Sequence, residues 1–383
     1  MTHGLKITES AIGARTVQDA SLAVIGLVAT ADGTTPEITA ALDTAFPVDT
    51  PVLVTNITNA LSNAGDKGTL KAALDAIADQ TTPILVVVRV LPDDLPATEE
   101  ANVLGDVIDN QYTGMQALLA AEAKVGVRPR ILGAPGLDTA AITAKLIEMA
   151  QKLRAFAYAS PQGETEAAVI LDRDNYAARE LMLIWPEFTG GFDGDAVARA
   201  MGLRARIDEE IGWHKTISNV AINGVTGIDR DIHFDLLDPS TPAGLLNDNE
   251  ITTIVRSNGF RYWGNRTCSD KPEFAFESAV RTSHALQDEI AEVVRPFMDQ
   301  PMTIGLIKDI METCNARFRK LKADGKIIGA DIFFDADDNE PSALAAGRPK
   351  FRIEYTPAAP LENPEIGLII TDFYYTGFAD LLN

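Results

Sequence analysis

Predicted helices and strands alternate between residues 70 and 210, and this alternation is the feature that most constrains the fold. Amphipathic segments at helical spacing are followed by short apolar runs of strand length. The predicted helices cover 70–78, 103–123, 139–153 and 195–210, and the predicted strands cover 22–28, 52–55, 84–90, 130–132, 155–159 and 181–185. Such alternation predicts a largely parallel α/β sheet covered on both faces, and the continuous apolar runs fit strands buried on both sides.

The segments on either side of this alternation have other patterns. Residues 1–20 are polar with isolated apolar side chains, which predicts an extended arm, and residues 212–248 predict a loop-rich bridge because glycines and prolines separate short apolar pieces. Residues 249–257 predict a helix. Helices followed by strands then predict a small α+β domain, with helices at 273–296 and 303–323, strands at 327–334 and 350–356, and a weakly alternating segment at 366–375.

Composition limits the partners of this 383-residue chain. Hydrophobic residues make up 46%, which suits a packed core, and the length predicts two or more domains. The formal net charge of -22 disfavours nucleic-acid binding because an acidic surface repels phosphates. Cys268 and Cys314 form no CxxC pair, and neither a signal peptide nor an apolar run of membrane-spanning length occurs. We therefore expect a soluble protein made in a reducing cytoplasm, with no membrane partner.

Catalytic and cofactor motifs are incomplete. Gly133 and Gly136 follow a predicted strand, but the segment lacks the third glycine of a dinucleotide loop and the Gly-Lys of a P-loop, so we expect a strand-to-helix turn with Asp138 or Thr139 as the helix N-cap. GxSxG is absent, and the four histidines lack zinc-ligand spacing. Residues 335–340 begin like a calcium loop but lack its glycine and closing glutamate. We predict no catalytic, cofactor or metal site.

The segment at 259–267, GFRYWGNRT, combines aromatic residues with two glycines and two arginines and has no acid. One interpretation is functional: an aromatic ring beside two arginines suits stacking on a base or a sugar. The other is structural: Trp263, Gly264, Asn265 and Arg266 form a tight corner, and the arginines pair with nearby acids. The lack of an acid-base dyad in or next to the segment favours the structural corner.

Cations cluster at the end of the second late helix in this acidic chain. The cluster consists of Arg317, Arg319, Lys320, Lys322 and Lys326. One interpretation is favourable placement near a helix C-terminus, worth about 0.3–1 kcal/mol for each cation. The other is a docking face for an acidic partner. The residues alone leave both open.

GFRYWGNRT resembles a signature of contractile tail sheath proteins, which are found in myophages and related tailocins. Other segments agree with that family in order and spacing, and the resemblance covers nearly the whole chain, most weakly from 95 to 180. The matching segments are 12–15 and 24–26 near the start, GWHKTISN at 212–219, GVTGI at 224–228, LLN at 245–247, and YTP at 355–357 with PLE at 360–362, the last two like the P2-like branch.

The resemblance implies a non-enzymatic structural subunit that stacks as six-fold rings in a helical sheath around a tail tube. It also implies contraction, which drives the tube through an envelope, and partners in the tube protein, the baseplate and the tail terminator. The expected location is a virion tail or a tailocin particle. The implied domains are an N-terminal arm at 1–20, an outer domain at 21–265, an inner domain at 266–365 facing the tube, and a C-terminal strand and arm at 366–383.

The resemblance also assigns residues to the two kinds of contact. Each arm would add a strand to a sheet of a neighbouring copy, through Lys6, Ile7 and Thr8 at one end and Ile370, Asp372, Phe373, Tyr374 and Tyr375 at the other. The cluster from Arg317 to Lys326 would face an acidic tube. Two alternatives remain: an α/β enzyme with a small-molecule site near Gly133–Asp138, and another tube component such as the type VI sheath, which is typically made from two chains.

Overall fold

The computed structural model describes residues 22–376, and its largest feature is an eight-stranded sheet. The strands of the N-terminal two thirds are β1 (Ile25–Thr30), β2 (Pro51–Val54), β3 (Leu85–Val90), β4 (Val107–Ile108), β5 (Gln111–Tyr112), β6 (Ile131–Gly133), β7 (Phe156–Ala159), β8 (Leu181–Ile184), β9 (Ile251–Arg256) and β10 (Phe260–Trp263). The sheet order is β10-β9-β8-β7-β6-β1-β3-β2. Its six central strands are parallel, and the edge strands β2 and β10 are antiparallel to their neighbours. The predicted mostly parallel sheet is confirmed.

Helices cover both faces of this sheet. They are α1 (Pro36–Ala45), α2 (Ile57–Ser62), α3 (Leu70–Ala78), α4 (Pro96–Leu104), α5 (Ala121–Val125), α6 (Ala140–Leu153), α7 (Glu166–Arg173), α8 (Asp195–Glu210) and α9 (Pro242–Asp248). Side chains of β1 alternate between the two cores: Leu27 packs in the core that contains α3 and α8, and Val28 packs in the core that contains α6. The predicted helices at 70–78 and 195–210 have the observed bounds.

Two predicted helices are wrong. The prediction at 103–123 spans the end of α4, the β4–β5 hairpin, a 3₁₀ segment at Gly114–Ala120, and α5. The helix α4 ends at Gly105, where φ is +64° and an added Cβ would lie 2.0 Å from the Thr113 carbonyl oxygen, so this turn requires glycine. The prediction at 249–257 is instead β9, whose buried β-branched residues suit a central strand.

The C-terminal part forms a second, smaller core. It contains α10 (Glu277–Val294), α11 (Ile304–Ala323), β11 (Ile327–Phe333), α12 (Pro341–Ala345) and β12 (Arg352–Pro357), and β11 pairs antiparallel with β12. Phe318 and Leu321 of α11 pack here with Ile332 of β11, as the predicted α+β arrangement requires. Leu22 and Trp213 from the N-terminal part also lie in this core. The two parts therefore share buried side chains, and the boundary at 265/266 stays a prediction.

The chain ends bear on the predicted arms. Residues 1–20 lie outside the described residues, so the predicted N-terminal arm cannot be placed. Between 358 and 376 the chain forms a 3₁₀ turn at Phe373–Tyr375 and pairs with no strand of its own subunit. Within residues 22–376, no helix is long and apolar enough to cross a membrane.

Candidate assembly surfaces and the corner that supports them

The GFRYWGNRT segment begins as the edge strand β10 and turns into the start of α10. The Tyr262 hydroxyl is buried and donates to the Ala196 carbonyl oxygen at 2.6 Å, so β10 is fixed to α8. The Trp263 ring packs edge-on against Phe234 of the bridge, with ring centroids 4.8 Å apart. Arg261 donates to the Asn219 carbonyl oxygen at 2.7 Å. These contacts hold the segment to α8 and to two places in the bridge, which supports the structural interpretation of Trp263.

Gly264 and Asn265 complete the turn. Gly264 has φ +141°, and an added Cβ would lie 2.8 Å from the Thr252 Cα of β9, so the close approach of the two backbones requires glycine. The Asn265 carbonyl oxygen accepts from the Glu277 backbone N–H at 3.0 Å, which connects the corner to the first residue of α10.

Arg266 extends from the corner to the C-terminal segment. Its Nε donates to Glu362 Oε1 at 3.0 Å and its Nη2 donates to Glu362 Oε2 at 2.7 Å, so the ion pair is bidentate. Both side chains are about one-third exposed. The hydrogen bond to Glu362 raises the pKa of Arg266 above its ordinary value. The corner therefore contacts the root of the predicted C-terminal arm.

A buried ionic network, which sequence reasoning missed, joins the large sheet to α10. Arg204 of α8 donates to Asp208 at 2.9 Å and lies 3.3 Å from Glu277 of α10, and Arg281 of α10 pairs with the same Asp208. The Tyr158 hydroxyl of β7 donates to Glu277. Burial opposes the charge on Arg204, but Asp208 and Glu277 outweigh it, so the pKa of Arg204 lies above its ordinary value. The i,i+4 spacings of Arg204 with Asp208 and of Glu277 with Arg281 were the sequence signals, and the contacts between the two helices join residues distant in the chain.

The predicted basic cluster divides into buried and exposed residues. Arg317 is buried and forms a bidentate pair with Glu289 of α10 at 2.7 and 2.8 Å, so its inclusion in an exposed face is corrected. Its charge is matched inside the core, where an unpaired guanidinium would be costly. Arg319, Lys320 and Lys322 are exposed. The Lys326 ammonium lies 4.6 Å from the centroid of the Trp213 ring, beside the end of α11.

The described residues of the C-terminal arm expose apolar side chains. Ile370 is fully exposed, and Phe373, Tyr374 and Tyr375 are each more than two-thirds exposed. Asp372, which lies among them, is also exposed. At the other end of the chain, the predicted arm residues Lys6, Ile7 and Thr8 lie outside the described residues.

The alternative site near Gly133–Asp138 is an acidic cleft of about 420 Å³ at the carboxyl ends of β6, β7 and β8. Seven carboxylates and one arginine line it, with no histidine, lysine or cysteine among the lining residues. Glu187 is occupied in capping α8, since it accepts from the Gly194 and Ala196 backbone N–H groups at 3.1 and 2.9 Å. Thr139, one of the two predicted N-caps, accepts from the Ile142 N–H. The hydroxyls of Thr139 and Ser160 donate to the carboxylates of Glu100 and Glu187.

Two acids of the segment at 335–340, which begins like a calcium loop, contact cations of the same subunit. Asp335 pairs with Arg352 at 2.9 Å, and Asp338 pairs with Lys350 at 2.5 Å. From residue 22 to residue 376, no three histidine, cysteine, aspartate or glutamate side chains are grouped as a metal site would require. The carboxylates of Asp335 and Asp338 are therefore engaged in ion pairs.

Known proteins resemble this chain over its full length. Residues 110–268 match the phage tail sheath protein central domain, and residues 23–90 match the N-terminal region of domain III of the tail sheath protein Gp18. The tail sheath protein of Escherichia phage P2 is 44% identical over 397 residues, covering 100% of this chain and 98% of that protein. The chain belongs to the contractile phage tail sheath family. The major tail sheath protein of Serratia phage KSP20 is 42% identical, covering 99% of this chain and 98% of that protein.

The sheath fold extends to more distant contractile systems. The chain superposes with a TM-score of 0.70 on the sheath of an extracellular contractile injection system, PVC, in its contracted state, at 15% identity over 98% of this chain and 99% of that one. It superposes with a TM-score of 0.72 on a chain of the anti-feeding prophage baseplate in the contracted state, at 16% identity over 97% of this chain and 98% of that one. The comparisons support a structural sheath protein, and they lend no support to an enzyme with a site near Gly133–Asp138.

Proposed function

We propose that this sheath protein polymerises as six-fold rings in a helical tube around an inner tail tube, and that contraction drives the tube through the host envelope. The observation that carries the proposal is full-length similarity to phage tail sheath proteins at 44% and 42% identity. The particle is a phage tail or a tailocin, synthesised in the bacterial cytoplasm, and the baseplate and tail terminator bind at the two ends of the sheath.

The C-terminal arm is donated to a neighbouring subunit. Within the described residues its apolar row from Ile366 to Tyr374 is exposed, whereas monomeric proteins rarely expose a contiguous row of this kind. Between residues 22 and 376 the β11–β12 sheet has two strands, so its outer edges have main-chain groups that an added strand can pair with. Each main-chain hydrogen bond would contribute about 0.5–1.5 kcal/mol. Several such bonds keep neighbouring subunits attached while their bodies move.

The tube contact has the opposite requirement, because it must release during contraction. Exposed ion pairs contribute about 0–1 kcal/mol each. A contact made of several such pairs gains its affinity from their sum, and it separates readily because each pair is weak. Arg319, Lys320 and Lys322 lie on the exposed side of the last turns of α11, with Lys326 just beyond. We assign these four residues to an acidic tube surface, and Arg317 is left out because Glu289 pairs with it in the core.

Truncation tests the arm. A chain that ends at residue 365 should stay dispersed at concentrations where the full chain forms long hollow cylinders in negative-stain micrographs. Its melting temperature should match that of the full chain because residues 366–376 are exposed throughout. A chain ending at residue 376 is the matched control and should still assemble. Normal cylinders from the shorter chain would contradict arm donation, and a dispersed full-length chain would contradict the proposed function.

A further inference from the structure

A bidentate ion pair attaches the root of the C-terminal arm to the body of the subunit. β12 ends at Pro357, and a few residues later Glu362 receives both hydrogen bonds of the Arg266 guanidinium fork, at 3.0 and 2.7 Å. Beyond Glu362, residues 363–376 are exposed throughout. The ion pair therefore lies at the boundary between the body of the subunit and its exposed arm.

Contacts with residues outside the arm hold Arg266 in place. Its backbone forms an antiparallel bridge with Phe276, and the Thr267 N–H donates to the Ala275 carbonyl oxygen at 2.9 Å. Its guanidinium carbon lies 5.2 Å from the centroid of the Phe276 ring, which stacks against it. A planar guanidinium fixed in this way binds a carboxylate in one orientation. It therefore sets both the position and the direction of the chain that carries the carboxylate.

We infer that Arg266 is the positioning residue of the C-terminal arm: its ion pair with Glu362 sets the point and direction from which the arm leaves the subunit. The inference rests on the proposed donation of that arm to a neighbour. Binding Glu362 moves the last attachment point of the arm from Pro357, where β12 ends, to Glu362, which concentrates the arm near its acceptor. It also gives Arg266 of the GFRYWGNRT corner a role in assembly in addition to its role in the fold.

Glu362→Arg tests the inference without altering the body, because Glu362 lies on the exposed arm. We expect the concentration needed for cylinder formation, measured by light scattering, to rise several-fold, with an unchanged melting temperature. Glu365→Arg is the matched control, since it makes the same charge change at an exposed acid three residues further along the arm, and it should assemble like the wild type. The double reversal R266E/E362R re-forms the pair with opposite polarity and should restore most of the loss.

The outcomes separate this inference from the proposed function. If the chain truncated at residue 365 assembles normally, arm donation itself is wrong. If that chain fails to assemble but Glu362→Arg assembles as well as Glu365→Arg, arm donation stands and the positioning role of Arg266 is wrong. A folded double reversal that assembles no better than Glu362→Arg also overturns it. If R266E lowers the melting temperature, the positioning role of Arg266 is decided by comparing the assembly of Glu362→Arg with that of Glu365→Arg.

Discussion

Arg317 shows that the role of a cation depends on whether it lies on the buried or the exposed face of its helix. In the sequence it belongs to a run of cations, yet Glu289 pairs with it inside the second core. Arg317→Ala should lower the free energy of unfolding by about 3–5 kcal/mol because it leaves Glu289 buried and unpaired. Arg319→Ala should change it by less than about 0.5 kcal/mol because Arg319 is exposed. Urea unfolding measures both, and similar losses for the two variants would contradict the assignment.

The acidic cleft predicts an unusual pH dependence. Asp138 is buried, and neither of its carboxylate oxygens has a hydrogen-bond partner that meets normal geometry. Burial and then the nearby Glu187 raise the pKa of Asp138, and burial raises that of Glu187 to about 7. Both folded-state pKa values lie above the unfolded ones. Their contribution is therefore present in full below the unfolded values near pH 4 and is lost as pH rises through the folded values.

Asp138→Asn should therefore stabilise the protein at about pH 8, because the amide stays neutral. The gain should be roughly 1.4 kcal/mol for each pKa unit by which the folded Asp138 exceeds its unfolded value, and it should shrink towards about pH 4. Melting temperatures of the two proteins across this range give the measurement. Comparing variants cancels the titration of the exposed carboxylates, which is common to both. A gain that does not vary with pH would mean that Asp138 is ionised in the folded chain.

At the scale of elements, the sequence predicts the helices and caps whose residue pattern is confined to neighbouring positions. The helix at 70–78 and the N-cap at Thr139 follow from periodicity and capping chemistry within a few residues. The prediction at 249–257 fails because an apolar run cannot distinguish a buried strand from a helix, and β9 is a strand only because β8 and β10 pair with it. The turn between β4 and β5 lies within the wrongly predicted helix at 103–123. The sequence did contain a signal for it, since Asp109 and Asn110 both tolerate positive φ and adopt it.

Gly264 is needed for space in the corner between β10 and α10, whereas Gly259 is needed only for backbone conformation in the turn between β9 and β10. An added Cβ at Gly264 would lie 2.8 Å from the Thr252 Cα, whereas one at Gly259 has no atom within 4 Å, although φ is positive at both. Gly259→Ala should cost about 1–2 kcal/mol from the left-handed backbone alone. Gly264→Ala should cost clearly more because β9 must shift. Thermal and urea unfolding compare them, and equal losses would show that backbone conformation accounts for both.

At the scale of the whole molecule, contacts between distant residues explain what the sequence left out. Arg266 and Glu362 are 96 positions apart in the chain, and Arg281 and Asp208 are 73 positions apart. Neither ion pair can therefore be predicted from a local sequence pattern. Arg281 also donates to the Leu22 carbonyl oxygen at 3.2 Å, which attaches the first described residue to α10. The sequence resemblance predicted arms and an inward-facing cluster, but the exposed side of α11 follows only from the packing of Arg317 against α10.

Charge should make the two assembly reactions respond to salt in opposite ways. Subunits with a formal charge of -22 repel one another, so raising NaCl from about 0.01 M to about 0.1 M, which shortens the screening length from ~30 Å to ~10 Å, should promote sheath polymerisation. The same change should weaken binding to an acidic tube, because exposed ion pairs are screened. Light scattering follows the first reaction, and co-sedimentation with purified tube follows the second.

The charge-reversed variant R319E/K320E/K322E separates the two effects. It should bind the tube weakly at both salt concentrations while keeping salt-promoted polymerisation, because the exposed end of α11 contributes to the tube contact alone. Lys71→Glu, Lys124→Glu and Lys271→Glu together are the matched control, since they make the same charge change at exposed cations elsewhere. That control should bind the tube like the wild type. Equal tube binding by both triple variants would remove α11 from the contact, because net charge and not position would then govern the affinity.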